Sequence, residues 1–295
     1  MLALSDNIRG ALLMMGAMCA YTFNDAFMKA LADELPLFQA IFFRGIGAVV
    51  CLAVMCKLLG QMRFDFSIRD WQLVVLRTVG EMGGTYFILT ALFHMPLANV
   101  SAILQVLPLA VSLAAAVFLG EALGWLRFTA IFVGFVGVLL VIQPGGADFS
   151  IFSLYALGAV VCVTLRDVVV RRMSGDVPSV LVALVAAVSV TVMGGVGSAF
   201  TEWAPISATS ALQLGGATAF LIFGYIASVS AMRFGEIGFV APFRYTSLLA
   251  ALILGVLVFD EWPNTLAMGG AAIVVATGLF TLYRETKPRE RIRQP

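Results

Sequence analysis

The chain has 295 residues, of which 61% are hydrophobic and 12% are charged, and its mean hydropathy is +1.00. A soluble domain carries roughly 25% charged residues, so this composition excludes a soluble globular protein and favours one embedded in lipid. The net charge of +1 gives no indication of a nucleic-acid partner. The four cysteines lie in apolar runs without disulfide or metal-binding spacing, and we expect them to pack as small apolar side chains.

Apolar runs long enough to cross a bilayer follow one another along the chain and predict ten helical spans. The first run is longer than the apolar core of a cleaved signal peptide, so we expect it to remain as a span. The connections are too short to hold a soluble domain. In chain order the predicted spans are 10–31, 35–59, 71–95, 97–119, 123–142, 151–170, 177–200, 208–232, 237–259 and 265–283.

The distribution of basic residues predicts the orientation of these spans. Cytoplasmic loops of membrane proteins carry an excess of Lys and Arg. Thirteen of the basic residues fall on the side that holds the N terminus, and only Lys29 falls on the other side. We therefore expect a multi-pass protein of the bacterial inner membrane with both termini in the cytoplasm.

Two patterns recur in the second half of the chain. An Asp-x3-Lys/Arg pair begins at Asp25 and again at Asp167, each time 11 residues before a proline. The segment 97–121 resembles the segment 237–261, which is an offset of 140 residues. These matches predict an internal repeat.

The predicted repeat divides the chain into residues 1–146 and residues 147–295, the second with a short basic cytoplasmic tail. Each half holds five spans, and because five is odd the halves must insert with opposite topology. Inverted repeats are typical of secondary transporters, which bind their substrate near the middle of the membrane between the repeats.

The sequence around the fourth and fifth spans resembles a known repeat signature. The segments 107–109 (Leu-Pro-Leu) and 119–121 (Leu-Gly-Glu), followed by a helix with Gly134 and Gly137, are similar to the drug/metabolite transporter superfamily and its EamA-type ten-helix members. In the second copy Leu248 and Asp260 replace the proline and the glycine. Among such transporters the chain most resembles the YddG-type exporters of aromatic amino acids.

This resemblance implies an all-α membrane protein in which two inverted five-helix repeats surround a central cavity. It also implies a secondary transporter that exports amino acids, aromatic ones among them, and related metabolites by alternating access. The alternatives are an importer or exchanger of another small solute (riboflavin-like, nucleotide-sugar-like or a drug), a channel, or an intramembrane enzyme. The sequence contains no P-loop, zinc motif or nucleophile motif, so we expect no enzyme activity and no cofactor.

Ionisable residues inside the spans are the main functional signal. A charge at the bilayer centre costs about 2.5–3.5 kcal/mol on insertion scales, and such residues usually face a cavity or a partner. Four positive and three negative side chains indicate mutual pairing, which disfavours polyanionic substrates and favours zwitterions or neutral amphiphiles. These residues are Asp25, Arg44, Arg77, Glu81, Arg166, Asp167 and Arg244.

Spacing predicts three ion pairs among them and their neighbours. Asp25 with Lys29, and Asp167 with Arg171, are expected to be structural or gating pairs because each pair lies near a helix end. Arg77 and Glu81 are also spaced for one helix face. For Glu81 two interpretations stay open: it neutralises Arg77, or it contacts substrate or carries a proton.

Deeply placed arginines are candidates for binding a substrate carboxylate. Arg44 and Arg244 lie about one-third of the way along their spans, where a guanidinium needs a carboxylate from the substrate or from the protein. Tyr21 and Asn24 lie next to Asp25 on the first span and are further substrate-binding candidates.

Polar side chains on two later spans complete the candidate site. Ser101 and Gln105 share one face of the fourth span and either face the cavity or form interhelical hydrogen bonds. Tyr225 offers an aromatic hydroxyl on the eighth span. The pattern Ala130-x3-Gly134 leaves open internal helix packing or a weak homodimer. The expected partners are therefore a small solute and the lipid bilayer, with a weak homodimer left open.

Overall fold

The computed structural model describes residues 6–120, 124–146, 149–234 and 237–286. Over these residues the chain is helical and contains no β-strand. The helices are α1 (Asp6–Ala30), α2 (Leu37–Leu58), α3 (Ile68–His94), α4 (Leu97–Leu104), α5 (Leu107–Leu119), α6 (Trp125–Ile142), α7 (Phe152–Val170), α8 (Ser179–Ser198), α9 (Ala208–Phe234), α10 (Ile237–Val240), a 3-10 turn (Ala241–Tyr245), α11 (Thr246–Phe259) and α12 (Thr265–Thr286).

Eight segments of the described chain are helical, long and apolar enough to cross a membrane, and α4 with α5 forms one of them. The helices α1 and α3 match the first and third expected spans but are not among the eight. They have 25 and 27 residues, which is more than the roughly 20 that a bilayer requires. Polar residues such as Asn24 and Glu81 lower their hydropathy, and these are candidate functional residues.

Successive helical segments run antiparallel between two faces of the bundle. We call the face at which α1 begins the N-terminal face, and the other the opposite face. At the N-terminal face the guanidinium of Arg9 in α1 lies 4.0 Å from the ring centroid of Phe234 at the end of α9. At the opposite face Lys29, near the end of α1, bonds to Glu261, which follows α11.

The most extensive helix packing joins the first half of the chain to the second half, in the pairs α1–α9, α2–α8, α3–α7 and α6–α12. Glycines permit this packing: a Cβ atom on Gly80 of α3 would lie 2.8 Å from the Cys162 carbonyl oxygen of α7. A Cβ on Gly134 of α6 would clash with Leu109 and Thr277. Gly134 therefore serves internal packing, one of the two interpretations of its motif.

Two helices are interrupted at matching positions. The α4–α5 helix is broken at residues 105–106, and the α10–α11 helix contains the 3-10 turn at residues 241–245. Both helices end on a residue in the left-handed region, Gly120 with φ 70° and Asp260 with φ 53°. Each terminal N–H bonds to a carbonyl five residues earlier, at Ala115 and at Gly255. The outer bounds and the terminal caps of the two helices thus agree at the offset of 140 residues.

Apolar packing closes the half of the bundle near the opposite face. Most of the largest fully buried side chains lie there, at the ends of α1 and α3 and the starts of α2 and α4. The set comprises Met28, Leu31, Leu35, Ile41, Leu89, Leu92, Leu97 and Ile103.

Candidate solute-binding chamber

Arg44 of α2 is buried next to a polar pair on α1. Its Nη1 donates to Asn24 Oδ1 at 3.3 Å, and Asn24 Nδ2 donates to Asp25 Oδ1 at 2.9 Å. The Arg44 side chain is only 8% exposed, and its Nε has no hydrogen-bond partner within the described residues. A buried donor without a partner costs roughly 1–3 kcal/mol. An incoming carboxylate would satisfy it.

A second charged cluster joins α3 to α7. Arg77 Nη2 lies 3.4 Å from Glu81 Oε2, which confirms the predicted pair. Arg166 Nη1 lies 3.3 Å from Glu81 Oε1, and Arg166 Nε lies 2.8 Å from Asp167 Oδ1. Two guanidinium groups and two carboxylates make the cluster neutral. Sequence reasoning had not placed Arg166 in the site, although its position beside Asp167 within a span was a usable signal.

The two charged groups lie close enough to influence each other electrostatically, and we call the region that holds them the chamber. The carboxylates of Asp25 and Glu81 both act electrostatically on Arg44. The hydroxyl of Tyr21 is within electrostatic range of Glu81 and of two arginines in the second half of the chain, Arg166 and Arg244. The residues of the chamber therefore come from α1, α2, α3, α7 and the 3-10 turn.

Tyr21 connects α1 to α9 at the edge of the chamber. Its hydroxyl lies 3.2 Å from Ser228 Oγ, and a Cβ on Gly224 would meet the tyrosine ring at 2.9 Å. The absence of a side chain at Gly224 thus lets the ring lie flat against α9. Ser228 was missed from sequence because an isolated serine in an apolar span gives no distinguishing pattern.

The predicted pairing of Asp25 with Lys29 is wrong. Lys29 Nζ instead lies 2.9 Å from Glu261 Oε1 and donates to the Met95 carbonyl oxygen at 2.6 Å. Glu261 Oε2 accepts from the Leu97 N–H at 2.8 Å. The ammonium group meets the carbonyl end of α3 and the carboxylate meets the amide end of α4, the arrangement that helix dipoles favour. Lys29 therefore joins helix ends at the opposite face.

The second predicted gating pair also differs from the structure. Asp167 was expected to bond Arg171 but bonds Arg166, because the neighbouring guanidinium reaches Asp167 and Glu81 together. Arg171 caps the end of α7 at the N-terminal face. Arg244 was expected deep inside a helix, but it lies on the 3-10 turn and its side chain is exposed.

The polar residues of α4 and α9 occupy separate places. Gln105 Nε2 donates to Ser247 Oγ at 3.0 Å and to the Tyr245 carbonyl oxygen at 3.4 Å, so it forms the interhelical contact that was one of its two interpretations. This contact joins the breaks of the two interrupted helices. Ser101 lies one turn earlier and is half-buried. The Tyr225 hydroxyl donates to the Ser179 carbonyl oxygen at 3.3 Å, near the N-terminal face.

Within the described residues no group of three or more His, Cys, Asp or Glu side chains is arranged to hold a metal ion. Arg77, Glu81, Arg166 and Asp167 are paired with one another, Arg44 and Asp25 both bond Asn24, and Arg44 Nε and Arg77 Nη1 each lack a partner within the described residues. Such a site can bind a polar solute by hydrogen bonds and charge.

A helical membrane bundle with a polar chamber between its helices is the arrangement of a solute transporter. The profile of the EamA-like transporter family matches residues 8–143 and again residues 150–283. The chain belongs to this family. It is therefore a multi-pass membrane transporter and not an enzyme.

The curated relatives of this chain are named as transporters of different solutes. The S-adenosylmethionine uptake transporter of Rickettsia prowazekii is 26% identical over 291 residues, covering 97% of this chain and 96% of the relative. The riboflavin transporter of Vibrio cholerae is 26% identical and covers 97% of both chains. The pseudopaline exporter CntI of Pseudomonas aeruginosa is 24% identical and covers 90% of this chain and 93% of its own length.

These relatives support the family resemblance but do not favour YddG-type aromatic exporters in particular, so that narrower assignment stays a prediction. A solved crystal structure aligns with a TM-score of 0.61 at 18% identity, over 95% of this chain and 99% of the other. At that identity the alignment supports the fold alone.

Proposed function

We propose that this protein is a secondary transporter that moves amino acids, and metabolites containing an amino-acid group, by alternating access. The two sequence halves form inverted five-helix repeats, and the solute binds in the chamber between them. The observation that carries the proposal is the buried Arg44, whose Nε has no partner while Asn24 and Asp25 lie beside it.

The chemistry of the chamber matches both charges of an amino acid. A guanidinium binds a carboxylate through two parallel hydrogen bonds, and such charge-assisted bonds are roughly twice as strong as neutral ones. Asp25 provides a carboxylate for the ammonium group on the same side of the chamber. Tyr21 adds an aromatic surface, which supports aromatic amino acids among the substrates.

The direction of transport is part of the proposal. We propose export, as the sequence resemblance implies. Uptake is the second candidate because the relative from Rickettsia prowazekii is named as an uptake transporter. Accumulation of labelled substrate by cells that express the protein would favour uptake, whereas faster efflux from preloaded cells would favour export.

The ten-span topology with cytoplasmic termini is tested with reporter fusions. Gln143 ends α6 at the opposite face, so a reporter after Gln143 should report the periplasm, whereas a reporter after Gln294 should report the cytoplasm. Reporters on the same side would contradict the arrangement of five spans followed by five.

Substrate class is tested by counterflow in proteoliposomes with phenylalanine, S-adenosylmethionine and riboflavin. We expect exchange of the first two, because both contain a carboxylate and an ammonium group and riboflavin contains neither. Arg44→Gln should lower exchange at least tenfold. Arg63→Gln, which removes an exposed arginine outside the chamber, should leave it unchanged. Exchange of riboflavin alone, or full activity of Arg44→Gln, would overturn the proposal.

A further inference from the structure

An aspartate and two serines fasten the start of α3 to the segment after α7 at the N-terminal face. Ser67 caps α3: its hydroxyl accepts the Asp70 N–H at 3.1 Å and donates to Asp70 Oδ2 at 2.7 Å. Asp70 also accepts the N–H of Ser174 at 3.1 Å and the Ser174 hydroxyl at 3.0 Å. We call this group of three residues the N-terminal latch.

A glutamate and two serines fasten the start of α9 to the segment after α1 at the opposite face. The Ser207 hydroxyl accepts the Ser210 N–H at 2.9 Å, as a helix cap does. The Ser207 hydroxyl donates to Glu34 Oε2 at 3.3 Å, and the Ser210 hydroxyl donates to the same oxygen. We call this group the opposite latch.

The two latches occupy the same positions in the two halves. Each residue of one latch corresponds to a residue of the other at an offset of 140, with residues 67, 70 and 174 matching 207, 210 and 34. The acid has changed place: in the N-terminal latch it lies on the helix start at Asp70, and in the opposite latch it lies on the partner segment at Glu34. The same link is therefore made at both faces with its donor and acceptor exchanged.

The latches join helices that come from different sequence halves. They fasten α3 to α7 and α1 to α9, which are two of the most extensively packed pairs in the bundle. Each pair also holds one contact of the chamber: Glu81 with Arg166 at 3.3 Å, and Tyr21 with Ser228 at 3.2 Å. Four of the helices around the chamber thus form two fastened pairs, and α2, which carries Arg44, belongs to neither pair.

A polar contact connects the two pairs near the opposite face. Lys29 of α1 donates to the carbonyl oxygens of Leu92 and Met95 at the end of α3, at 3.3 and 2.6 Å. These carbonyl oxygens belong to the other pair. The contact must break if the pairs separate at that face.

We propose that Asp70 and Glu34 are positioning residues that keep α3–α7 and α1–α9 together as the two units that move during transport. The inference rests on the proposed alternating access and says which parts move. It differs from a rocking of one sequence half against the other, because that motion would pull both latches apart.

Disulfide cross-links distinguish the two motions. In a background with the four native cysteines replaced by alanine, one variant carries Asp70→Cys with Ser174→Cys and another carries Glu34→Cys with Ser210→Cys. After oxidation we expect each to keep at least half of the phenylalanine or S-adenosylmethionine counterflow of its reduced form. The matched control carries Lys29→Cys with Met95→Cys, bridged by a short bis-methanethiosulfonate reagent that forms reducible disulfides. Its counterflow should be at least tenfold lower bridged than unbridged, and reduction of the bridge should restore the unbridged rate.

Loss of counterflow on closing either latch disulfide would overturn the inference. If the reduced cysteine-free protein exchanges neither probe, the proposed function fails, and the moving units are then tested by labelling. Ser101→Cys should react with thiol reagents added from either side before and after latch oxidation. A restriction to one side on oxidation would contradict the inference without any use of a substrate.

A pair of substitutions that moves the acid from position 70 to position 174 tests the role of Asp70 separately. Asp70→Ala should lower the maximal counterflow rate at least fivefold with an unchanged half-saturation concentration, because the residue does not touch the solute. Asp70→Ser with Ser174→Glu copies the arrangement of the opposite latch and should restore the rate to within twofold. A folded double variant as slow as Asp70→Ala would overturn the role of the latch.

Discussion

The two ends of the bundle contain different side chains, although the same helices run through both. Near the opposite face, Met28, Leu31 and Leu97 are fully buried, and Lys29 ties the helix ends together. Nearer the N-terminal face α3 and α7 carry the charged groups Arg77, Arg166 and Asp167, which stay partly exposed. The bundle is therefore closed toward one face and polar toward the other.

Removal of one charge from the polar end should have the largest effect. Glu81→Leu leaves Arg77 and Arg166 with Asp167 as their remaining carboxylate. We expect a loss of about 2 kcal/mol in the free energy of unfolding, less than for a fully buried pair because water reaches these groups. Counterflow should fall at least tenfold. Thermal unfolding in detergent and flux in proteoliposomes measure the two effects.

A compensating variant separates the two interpretations of Glu81. Arg77→Met with Glu81→Leu removes one charge of each sign and leaves the Arg166–Asp167 pair at 2.8 Å intact. Stability should return in both interpretations. Flux should return with it if the pair is structural, which we expect. A stable double variant without flux would show instead that Glu81 acts on the solute or on a proton.

The closed end is tested at Lys29. Lys29→Met leaves Glu261 without its cation and the carbonyl end of α3 without its donor, so the opposite face should open more often. We expect about a fivefold loss of counterflow and faster labelling of Ser101→Cys from the opposite side. Lys29→Arg should keep most of the activity. Slower labelling in the Lys29→Met background would contradict a role in closing this end.

The contact between the two interrupted helices should have a smaller effect. Gln105→Leu removes the hydrogen bonds to Tyr245 and Ser247 and should cost about 1 kcal/mol of stability, the usual contribution of one such bond. Flux should fall about threefold. Thr129→Val removes an exposed hydroxyl group on α6 and serves as the control. Equal stability of both variants would show that the two breaks do not support each other through Gln105.

The smallest effect concerns pH at the N-terminal latch. The Ser174 N–H, followed by the Ser67 hydroxyl, holds the pKa of Asp70 below its ordinary value. Asp70 lies in the first turn of α3, just ahead of the predicted third span (71–95). A lowered pKa in the folded state stabilises the protein above the ordinary value of about 3.9, and the contribution is lost as the pH falls through the lowered value. The melting temperature of wild type should exceed that of Asp70→Asn at neutral pH and approach it below about pH 4. A difference that persists unchanged at pH 3 would contradict this.

Local spacing predicted the contact between residues one helical turn apart. It failed where the partner of a side chain lies far along the chain. The Arg77–Glu81 pair followed from helical periodicity. Lys29 was assigned to Asp25 one turn away, yet its partner Glu261 lies 232 residues along the chain. Helix dipoles at the ends of α3 and α4 selected that partner, and no local pattern reports where helix ends meet.

The same limit applies to the interrupted helices. Pro108 was a visible signal for irregular backbone in the fourth span, and the break falls just before it, at residues 105–106. The position of Pro108 is taken by Leu248 in the second half, and there the 3-10 turn ends before it, at Tyr245. The turn moves Arg244 from a helix interior to an exposed position. Whether a helix converts to a 3-10 turn at this position depends on the packing of the whole bundle, which local sequence does not show.

The most direct test of the central claim asks whether Arg44 meets the carboxylate of the solute. Binding of S-adenosylmethionine and of its carboxyl methyl ester is measured by titration calorimetry on wild type and on Arg44→Gln. We expect the ester to bind wild type at least tenfold more weakly than the acid, which is about 1.4 kcal/mol. On Arg44→Gln the two ligands should differ by less than twofold. An equal penalty for the ester on both proteins would contradict contact between Arg44 and the carboxylate.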